Sequence, residues 1–287
     1  MQQAQAVFKL SQRRVCKALD FDRSSMRYQP SLDKEERDRA LSERLRQLAQ
    51  EHPRFGYRRM QAMLKRQDQG QDQGQDQDYN HKQVQRLWHK AGLCLPRRRP
   101  KKRRRCGPGS LLVKPVTRPN QRWCYDFVFD ACANGSQLKM LTVEDEFTRE
   151  SLAVEVGCSL PASRVIAVLE RLFAQRGSPD ELRSDNGPEF VAQAIQQWLE
   201  KHGVATIYID PGKPWQNGLA ESFNGKLRDE CLSREWFKNR AEAVAVVAGF
   251  GRYYNEERPH SSLNYHTPTE FRQKYEAQQK ASENDKD

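Results

Sequence analysis

The sequence predicts an α/β protein in which a mixed β-sheet with flanking helices follows a smaller, all-helical front region. Two observations carry this prediction. From Gln121 to Ser184, aromatic and β-branched runs are joined by a tight turn at Asn134-Gly135 and then alternate with helical patterns, as in a mixed sheet. Before residue 95, by contrast, the apolar residues recur at intervals of three and four, which is typical of amphipathic helices.

The front region is predicted to be helical throughout. Residues 11–28 favour two short helices with a turn near Asp20, and Arg13, Arg14, Arg23 and Arg27 would be the DNA contacts if this pair is a helix-turn-helix. Packing of its apolar residues against a core explains the pattern equally well. Three longer helices follow over 31–95, and we interpret their apolar stripes as the core of a small bundle. The stripes are Leu41, Leu45 and Leu48; Tyr57, Met60 and Leu64; and Val84, Leu87, Trp88 and Ala91.

Two segments of biased composition interrupt the front region. Residues 67–78 repeat Gln, Asp and Gly without an apolar member, so they cannot join a core and are expected to form a disordered loop. Residues 97–105 carry eight positive charges in nine positions, which predicts an extended basic linker over 96–118 that can lie along DNA phosphates. Its predicted contact residues are Arg97, Arg98, Arg99, Lys101, Lys102, Arg103, Arg104 and Arg105.

The charge distribution favours a polyanionic partner. Lys and Arg outnumber Asp and Glu by 27 to 12 in residues 1–110, whereas the ratio is 22 to 26 in residues 111–287. A basic front of this kind suits nucleic acid and predicts salt-dependent binding. No apolar stretch approaches the length of a membrane span and the start lacks the pattern of a secretion signal, so we expect a soluble protein of the cytoplasm. Seven scattered cysteines without a Cys-x-x-Cys pair indicate neither a disulfide framework nor a zinc ribbon.

Three acids of the second half stand out. Asp126 lies in the middle of a predicted strand, where a buried carboxylate costs free energy unless it binds a cation. Asp185 follows a short strand and precedes Asn186-Gly187, at the strand end where α/β proteins usually place their sites. Glu221 lies in the first turns of a helix that starts near Asn217-Gly218. If the fold brings them together, the three carboxylates can hold two divalent metal ions.

At these residues the chain resembles the DDE transposases of bacterial insertion sequences, close to their second reading frame, and more distantly the retroviral integrases. Asp185 and Glu221 are separated by 35 residues, the interval characteristic of that superfamily. The resemblance covers the chain from about Asn120 to Phe271. The matching motifs are Trp123-x-x-Asp126-Phe127, Leu141-Thr142-Val143-x-Asp145-x-Phe147-Thr148-Arg149, Ser184-Asp185-Asn186-Gly187-Pro188-Glu189-Phe190, Pro214-x-Gln216-Asn217-Gly218-x-x-Glu221-Ser222-Phe223-Asn224-Gly225 and Tyr254-Asn255-x-x-Arg258-Pro259-His260.

The resemblance implies a fold and a set of site residues. It implies an RNase H-like integrase core over 119–230, a helix-turn-helix-like segment over 1–30, and a C-terminal helix and tail over 231–287, with the helix from Arg240 to Asn255 and a frayed tail from Ala281. It further implies that Asp126, Asp185 and Glu221 are the catalytic triad holding two Mg²⁺ or Mn²⁺ ions. Arg228 matches the family's basic position, two helical turns beyond Glu221, where a guanidinium can meet a DNA phosphate.

The function implied is metal-dependent nicking of the 3′ ends of an insertion sequence and their transfer to target DNA. The implied partners are the element ends, the target DNA, further copies of this chain and a protein of the upstream reading frame, with a nucleoid-associated location. Two alternatives stay open: a nuclease of the same fold that cuts without joining, and a catalytically inactive DNA-binding remnant.

Several residues around the triad have two interpretations. Lys213, Trp215, Gln216 and Asn217 form a loop before Glu221 that either contacts a DNA strand end or packs on itself. Two further acids compete with the triad. Asp130 is interpreted as a solvated strand end, and Asp145 as a turn residue in preference to an acid that supports the metal site.

Overall fold

The computed structural model describes residues 11–18, 20, 22, 32–69, 79–96, 115–185, 193–209 and 217–284. Contacts divide the chain into a front unit, formed by Met1–Pro53 and Asn80–Cys94, and a core unit, formed by Arg54–Tyr79 and Leu95–Asp287. Several predicted features lie outside the described residues: the second half of the helix-turn-helix-like segment, most of the Gln/Asp/Gly repeat and the whole basic run 97–105.

The front unit contains three described helices: α1 (Gln12–Ala18), α2 (Leu32–Glu51) and α4 (His81–Lys90). Helices α2 and α4 pack against each other, and their predicted apolar stripes are buried, as Leu45 and Val84 illustrate with 0% exposure. Helix α4 begins at Asn80, whose side chain accepts a hydrogen bond from the backbone N–H of Lys82, satisfying one of the donors that a helix start leaves open.

Helix α3 (Tyr57–Gln69) belongs to the core unit. The sequence placed the apolar stripe of this helix in the bundle predicted over 31–95. Its amphipathic face buries Met60 and Leu64. On another face, the Arg66 guanidinium donates to the Glu270 carboxylate at 2.5 Å and to the Tyr265 carbonyl at 3.1 Å. These partners lie about 200 residues away, so no local pattern could have indicated them.

The core unit is built on a five-stranded mixed sheet in the order β3-β2-β1-β4-β5. Strands β1 to β3 are antiparallel, whereas β4 runs parallel to β1, and β5 parallel to β4. This arrangement confirms the predicted RNase H-like α/β fold. The strands are β1 (Arg122–Ala131), β2 (Gln137–Asp145), β3 (Ser151–Gly157), β4 (Glu181–Ser184) and β5 (Ala205–Tyr208).

Helices cover both faces of this sheet, and side-chain parity decides which residues meet them. Trp123 and Leu141 point to one face, into a core with α5 (Ala162–Arg176) and α6 (Gln193–Lys201). Val128 and Met140 belong to the other core, which includes side chains of α7 (Gly218–Glu230) and α8 (Arg240–Glu256). Asp126 differs from Val128 by two positions and therefore lies on the α7 and α8 face.

The C-terminal segment differs from its prediction. The expected frayed tail from Ala281 is wrong for its first residues, because a further helix, α9, runs from Pro268 to Asn284. Thr267 and Glu270 form a capping box, in which each side chain accepts a hydrogen bond from the other's backbone N–H. The ring of Phe147 packs on that of Tyr275 with centroids 5.1 Å apart. The capping box was visible in the sequence, whereas this ring contact was not.

None of the helices in the described ranges is long and apolar enough to cross a membrane.

Candidate active site

Asp126 is the centre of the candidate site. Strand pairing sets it opposite Thr142 of β2, on the face covered by α7. One carboxylate oxygen accepts a hydrogen bond from the Phe127 backbone N–H at 2.7 Å, and the other accepts one from the Asn224 side chain at 2.8 Å. The Thr142 hydroxyl lies 3.1 Å from the Asn224 amide oxygen, to which it can donate. Asn224 therefore links α7 to both strands and fixes the orientation of the Asp126 carboxylate.

The structure gathers the other two predicted acids around Asp126. Strand β4 pairs in parallel with β1, with Cys124 opposite Arg183, so Asp185, one residue beyond β4, continues the register beside Asp126. Glu221 lies in the first turn of α7. Burial raises the pKa of Asp126 to about 6, and the negative charges of Asp185 and Glu221 add to this rise. Both acids are thus close enough to repel the Asp126 carboxylate.

Electrostatic proximity is not yet metal coordination. Among the residues that the structure describes, no three His, Cys, Asp or Glu side chains have the spacing of a metal site. The chemistry of the donor set nevertheless suits a hard divalent cation, because carboxylate oxygens are its preferred protein ligands. A carboxylate whose pKa is raised by burial, and further by two like charges, is the electrostatic setting that a cation relieves.

Some of the remaining predicted DNA contacts lie among the described residues and others lie outside them. Arg228 is exposed, and so is Glu221 one heptad earlier on the same helix, so the two side chains share the outer face of α7. Asn217 is only 4% exposed, which favours packing of this side chain over DNA contact. Lys213, Trp215, Gln216 and the linker arginines and lysines fall on residues outside the described ranges.

The competing acids have structural roles. Asp145 is 1% exposed, and one of its oxygens accepts backbone hydrogen bonds from Phe147 and Thr148 at 2.9 and 2.7 Å. Its other oxygen accepts from the Asn120 backbone at 2.7 Å, which confirms the interpretation of Asp145 as a turn residue. Asp130 is half-buried and accepts a hydrogen bond from the next backbone N–H, that of Ala131.

Sequence reasoning missed a buried ionic group behind the active-site helix. The Arg258 guanidinium makes two hydrogen bonds of 2.6 Å to the carboxylate of Glu230, the last residue of α7. The pKa of Lys226 is lowered to about 8, mainly by burial and also by the positive charge of Arg258. The negative charge of Glu144 opposes this change. Glu144 itself is 2% exposed and, within the described residues, its Oε1 has no hydrogen-bond partner. The pair Glu230–Arg258 fixes the C-terminal end of the helix that carries Glu221.

The motif around Arg258 secures the helices behind the site. The side chain of Asn255 makes two hydrogen bonds to the backbone of Ser151, at 2.9 and 2.8 Å, joining α8 to β3. The Nε2 of His260 lies 3.2 Å from the Tyr254 carbonyl, to which it can donate. The motif Tyr254-Asn255-x-x-Arg258-Pro259-His260 was the available signal, and its role is to hold α7 and α8 in place.

Comparison with protein-family models agrees with this architecture. Two models described as integrase core domain match residues 116–214 and 202–268, and a model described as HTH-like domain matches residues 35–101. Among solved structures, the simian T-cell lymphotropic virus intasome has a TM-score of 0.48 and 18% identity, with 74% of each chain covered. The magnesium complex of the HTLV-2 integrase catalytic core, in its trimeric form, has a TM-score of 0.43 and 16% identity, covering 54% of this chain and 97% of that one.

This chain matches three relatives over most of their length. The insertion element IS407 protein of Burkholderia multivorans is 41% identical over 93% of this chain and 92% of the relative. The insertion element IS476 protein of Xanthomonas euvesicatoria is 42% identical over 94% and 75%, respectively. The transposase InsD of insertion element IS2 from Escherichia coli is 30% identical over 79% and 76%. This chain therefore belongs to the insertion-element transposases that contain an integrase core domain.

Proposed function

We propose that this transposase nicks the 3′ ends of its insertion element and joins them to target DNA, with Asp126, Asp185 and Glu221 as the catalytic residues. The observation that supports this most directly is the gathering of the three carboxylates on one face of the sheet from two parallel strands and a helix. Such acids supply the ligands of Mg²⁺ or Mn²⁺, two of which, when bound, activate an attacking oxygen and stabilise a leaving one.

The chain's own residues position the reactants. Asn224 holds one oxygen of the Asp126 carboxylate, and the Phe127 backbone N–H holds the other. Arg228 is placed to bind a DNA phosphate on the exposed face that it shares with Glu221, through the bidentate geometry of its guanidinium. Glu230 and Arg258 join the C-terminal end of α7 to the segment that follows α8, which supports the helix that carries Glu221 and Arg228.

The partners follow from the same proposal. They are the DNA ends of the element and the target DNA, bound by an assembly of several copies of this chain. A protein of the upstream reading frame, as a fusion or a separate subunit, completes the set. Nucleoid association follows from DNA as the substrate.

A strand-transfer assay tests the proposal. Wild type and Asp185→Asn are incubated with Mg²⁺ or Mn²⁺ and labelled DNA ends taken from the repeats that flank the element. We expect joined products from the wild type and none from the variant. Asp180→Asn is the matched control, because Asp180 is a partly exposed acid that pairs with Arg118.

Each other outcome has a distinct meaning. Joining that survives Asp185→Asn contradicts the triad. Cleavage without joining supports the nuclease alternative, and DNA binding with neither reaction, also after the upstream-frame protein is added, supports the inactive remnant.

A further inference from the structure

Helix α3 and the residues before it contact the C-terminal end of α7, although α3 lies in sequence between the two segments of the front unit. Phe55, two residues before the helix, is buried. Arg59, in the first turn of α3, forms an ion pair of 3.9 Å with Glu230, the last residue of α7. Glu230 also accepts the two hydrogen bonds from Arg258, so α3 supplies a second cation to that carboxylate.

We infer that α3 is a positioning element for the helix that carries Glu221. The side chains of Phe55 and Arg59 shield the Glu230–Arg258 pair from water and thereby hold α7 in place. The inference rests on the proposed function, because it takes Glu221 to be a metal ligand. It assigns a role in the reaction to a helix that the sequence placed in the front bundle.

The ring of Phe55 covers two guanidinium groups. The Cζ atoms of Arg59 and Arg258 lie 5.2 and 5.5 Å from its centroid, and the Cζ of Arg258 lies 5.5 Å from the centroid of Tyr254 as well. The Arg258 side chain is 1% exposed and that of Glu230 is 10% exposed. Ring faces attract cations, and exclusion of water makes an ion pair stronger and less sensitive to salt. Phe55 therefore strengthens this pair in addition to burying its own apolar surface.

The charges in this group depend on one another. Burial lowers the pKa of Arg59, and the positive charge of Arg258 lowers it further, while the negative charge of Glu230 opposes the change. Glu230 thus offsets the repulsion between two cations, one from α3 and one from the segment after α8. The last turn of α7 is thereby fixed to two separate parts of the chain.

A second contact anchors the other end of α3. Arg66 lies two helical turns after Arg59, and its guanidinium donates to the Glu270 carboxylate and the Tyr265 carbonyl. Glu221 lies nine residues before Glu230 on α7, which is about 13 Å along a helix axis. Because a helix moves as a stiff rod over this length, a shift of its anchored end displaces the Glu221 carboxylate.

Mn²⁺ binding by the full chain without DNA tests the effect on the site. The EPR signal of free Mn²⁺ measures the affinity. Phe55→Ala is compared with Leu64→Ala, which removes a fully buried apolar side chain from the same helix. Arg59→Gln is compared with Arg59→Lys, which keeps a positive charge beside Glu230.

Phe55→Ala and Arg59→Gln should weaken Mn²⁺ binding by about two- to thirtyfold, the range for residues that act through a packed network. Leu64→Ala and Arg59→Lys should keep the wild-type affinity. An equal loss in Phe55→Ala and Leu64→Ala, or wild-type affinity in either Phe55→Ala or Arg59→Gln, overturns the inference. Phe55→Leu replaces Phe55→Ala if that variant does not fold.

Urea unfolding in EDTA at low and at high NaCl concentration tests the shielding without any metal. The destabilisation caused by Phe55→Ala should be larger at high salt, by up to about fivefold in the unfolding equilibrium constant, because salt screens an exposed ion pair. The destabilisation caused by Leu64→Ala should be equal at both concentrations. A cost of Phe55→Ala that does not depend on salt contradicts the shielding.

The two measurements separate this inference from the proposed function. Mn²⁺ binding that is unchanged in Asp185→Asn would reject the triad, and the unfolding measurement would still decide whether α3 shields the pair. Mn²⁺ binding that is lost in Asp185→Asn but unchanged in Phe55→Ala and Arg59→Gln would keep the triad and reject the role of α3.

Discussion

The two faces of the central sheet differ in what their buried residues do. The face covered by α5 and α6 is an apolar core, in which the rings of Trp123 and Phe173 meet edge to face with centroids 5.6 Å apart. The face covered by α7 and α8 mixes apolar side chains with Asp126, Thr142 and Glu144. Alternate residues of the same strands supply both faces, so one face carries an apolar core alone, while the other combines an apolar core with the polar groups of the proposed site.

The polar face is the less favourable one for stability. Burial raises the pKa values of Asp126 and Glu144 and lowers that of Lys226, which means that the charged forms of these groups are destabilised where they lie. Charged groups held in such a setting are typical of functional sites. The comparison of the two faces leads to four predictions, from the largest expected effect to the smallest.

Asp126→Asn should have the largest effect, lowering joining while raising stability. Joining should fall by on the order of a thousand-fold, comparable to the loss of a key electrostatic group in other enzymes. Without metal, the variant should be more stable than the wild type at pH 8 by up to about 2 kcal/mol, because a pKa of about 6 makes ionised Asp126 unfavourable.

The pH dependence that Asp126 gives to stability is opposite to that of an acid whose pKa is lowered by folding. The folded protein holds the Asp126 proton more tightly than the unfolded chain does. The contribution of Asp126 to the free energy of unfolding is therefore lost as pH rises from about 4 to about 6. Urea unfolding in EDTA at pH 4 and pH 8 measures it. A variant less stable than the wild type at pH 8 would contradict the description of Asp126 as an unfavourably buried acid.

Leu169→Ala should affect the apolar face alone. Leu169 is fully buried in the core with α5, and its truncation should cost about 2 to 5 kcal/mol of unfolding free energy. Joining per folded molecule should stay near the wild-type value. Denaturant unfolding and the joining assay at low temperature measure the two quantities, and a large loss of joining in folded protein would show that the faces are not independent.

Asn224→Ala should affect the polar face without removing a proposed ligand. Loss of the hydrogen bond to Asp126 should lower joining about 10- to 100-fold, the range found when the supporting partner of a metal ligand is removed. The required Mg²⁺ concentration should rise as well, which a purely structural defect would not cause. Thr142→Val is the matched control, because it removes a hydroxyl that contacts the Asn224 amide oxygen and the Asp126 backbone carbonyl but not the Asp126 carboxylate.

His260→Asn should have the smallest effect on joining, and its signature is a pH dependence of stability added to the constant cost of losing a buried ring. Burial, together with Arg258 and Lys226, lowers the pKa of His260 to about 3. The unfolded chain therefore binds this proton first, and the wild type should lose stability as pH falls from about 6.5 towards 3, by at most about 1.4 kcal/mol per pH unit.

The variant isolates this contribution. Asp126 and Glu150, whose pKa values are raised to about 6, act in the opposite direction in both proteins and cancel in the difference. Urea unfolding of both proteins across this range gives the difference in unfolding free energy. A difference that does not change with pH would show that the folded protein binds the His260 proton as readily as the unfolded chain does.

The sequence by itself predicted the local structure and the acids of the proposed site. Aromatic and β-branched runs predicted the strands between Gln121 and Ser184, and the spacing of Asp185 and Glu221 with their flanking motifs indicated the triad. These features are local, because a strand or a helix is specified by neighbours within a few positions.

Only the tertiary structure decided which residues support that site. Asn224 contacts Asp126 across 98 positions of sequence, and Arg66 contacts Glu270 across 204. The raised pKa of Asp126 likewise arises from burial beneath a helix that follows it by about 90 residues. Such contacts depend on which faces pack together, and burial and charge interactions exist only once they have packed, so the sequence pattern around any one residue does not contain them.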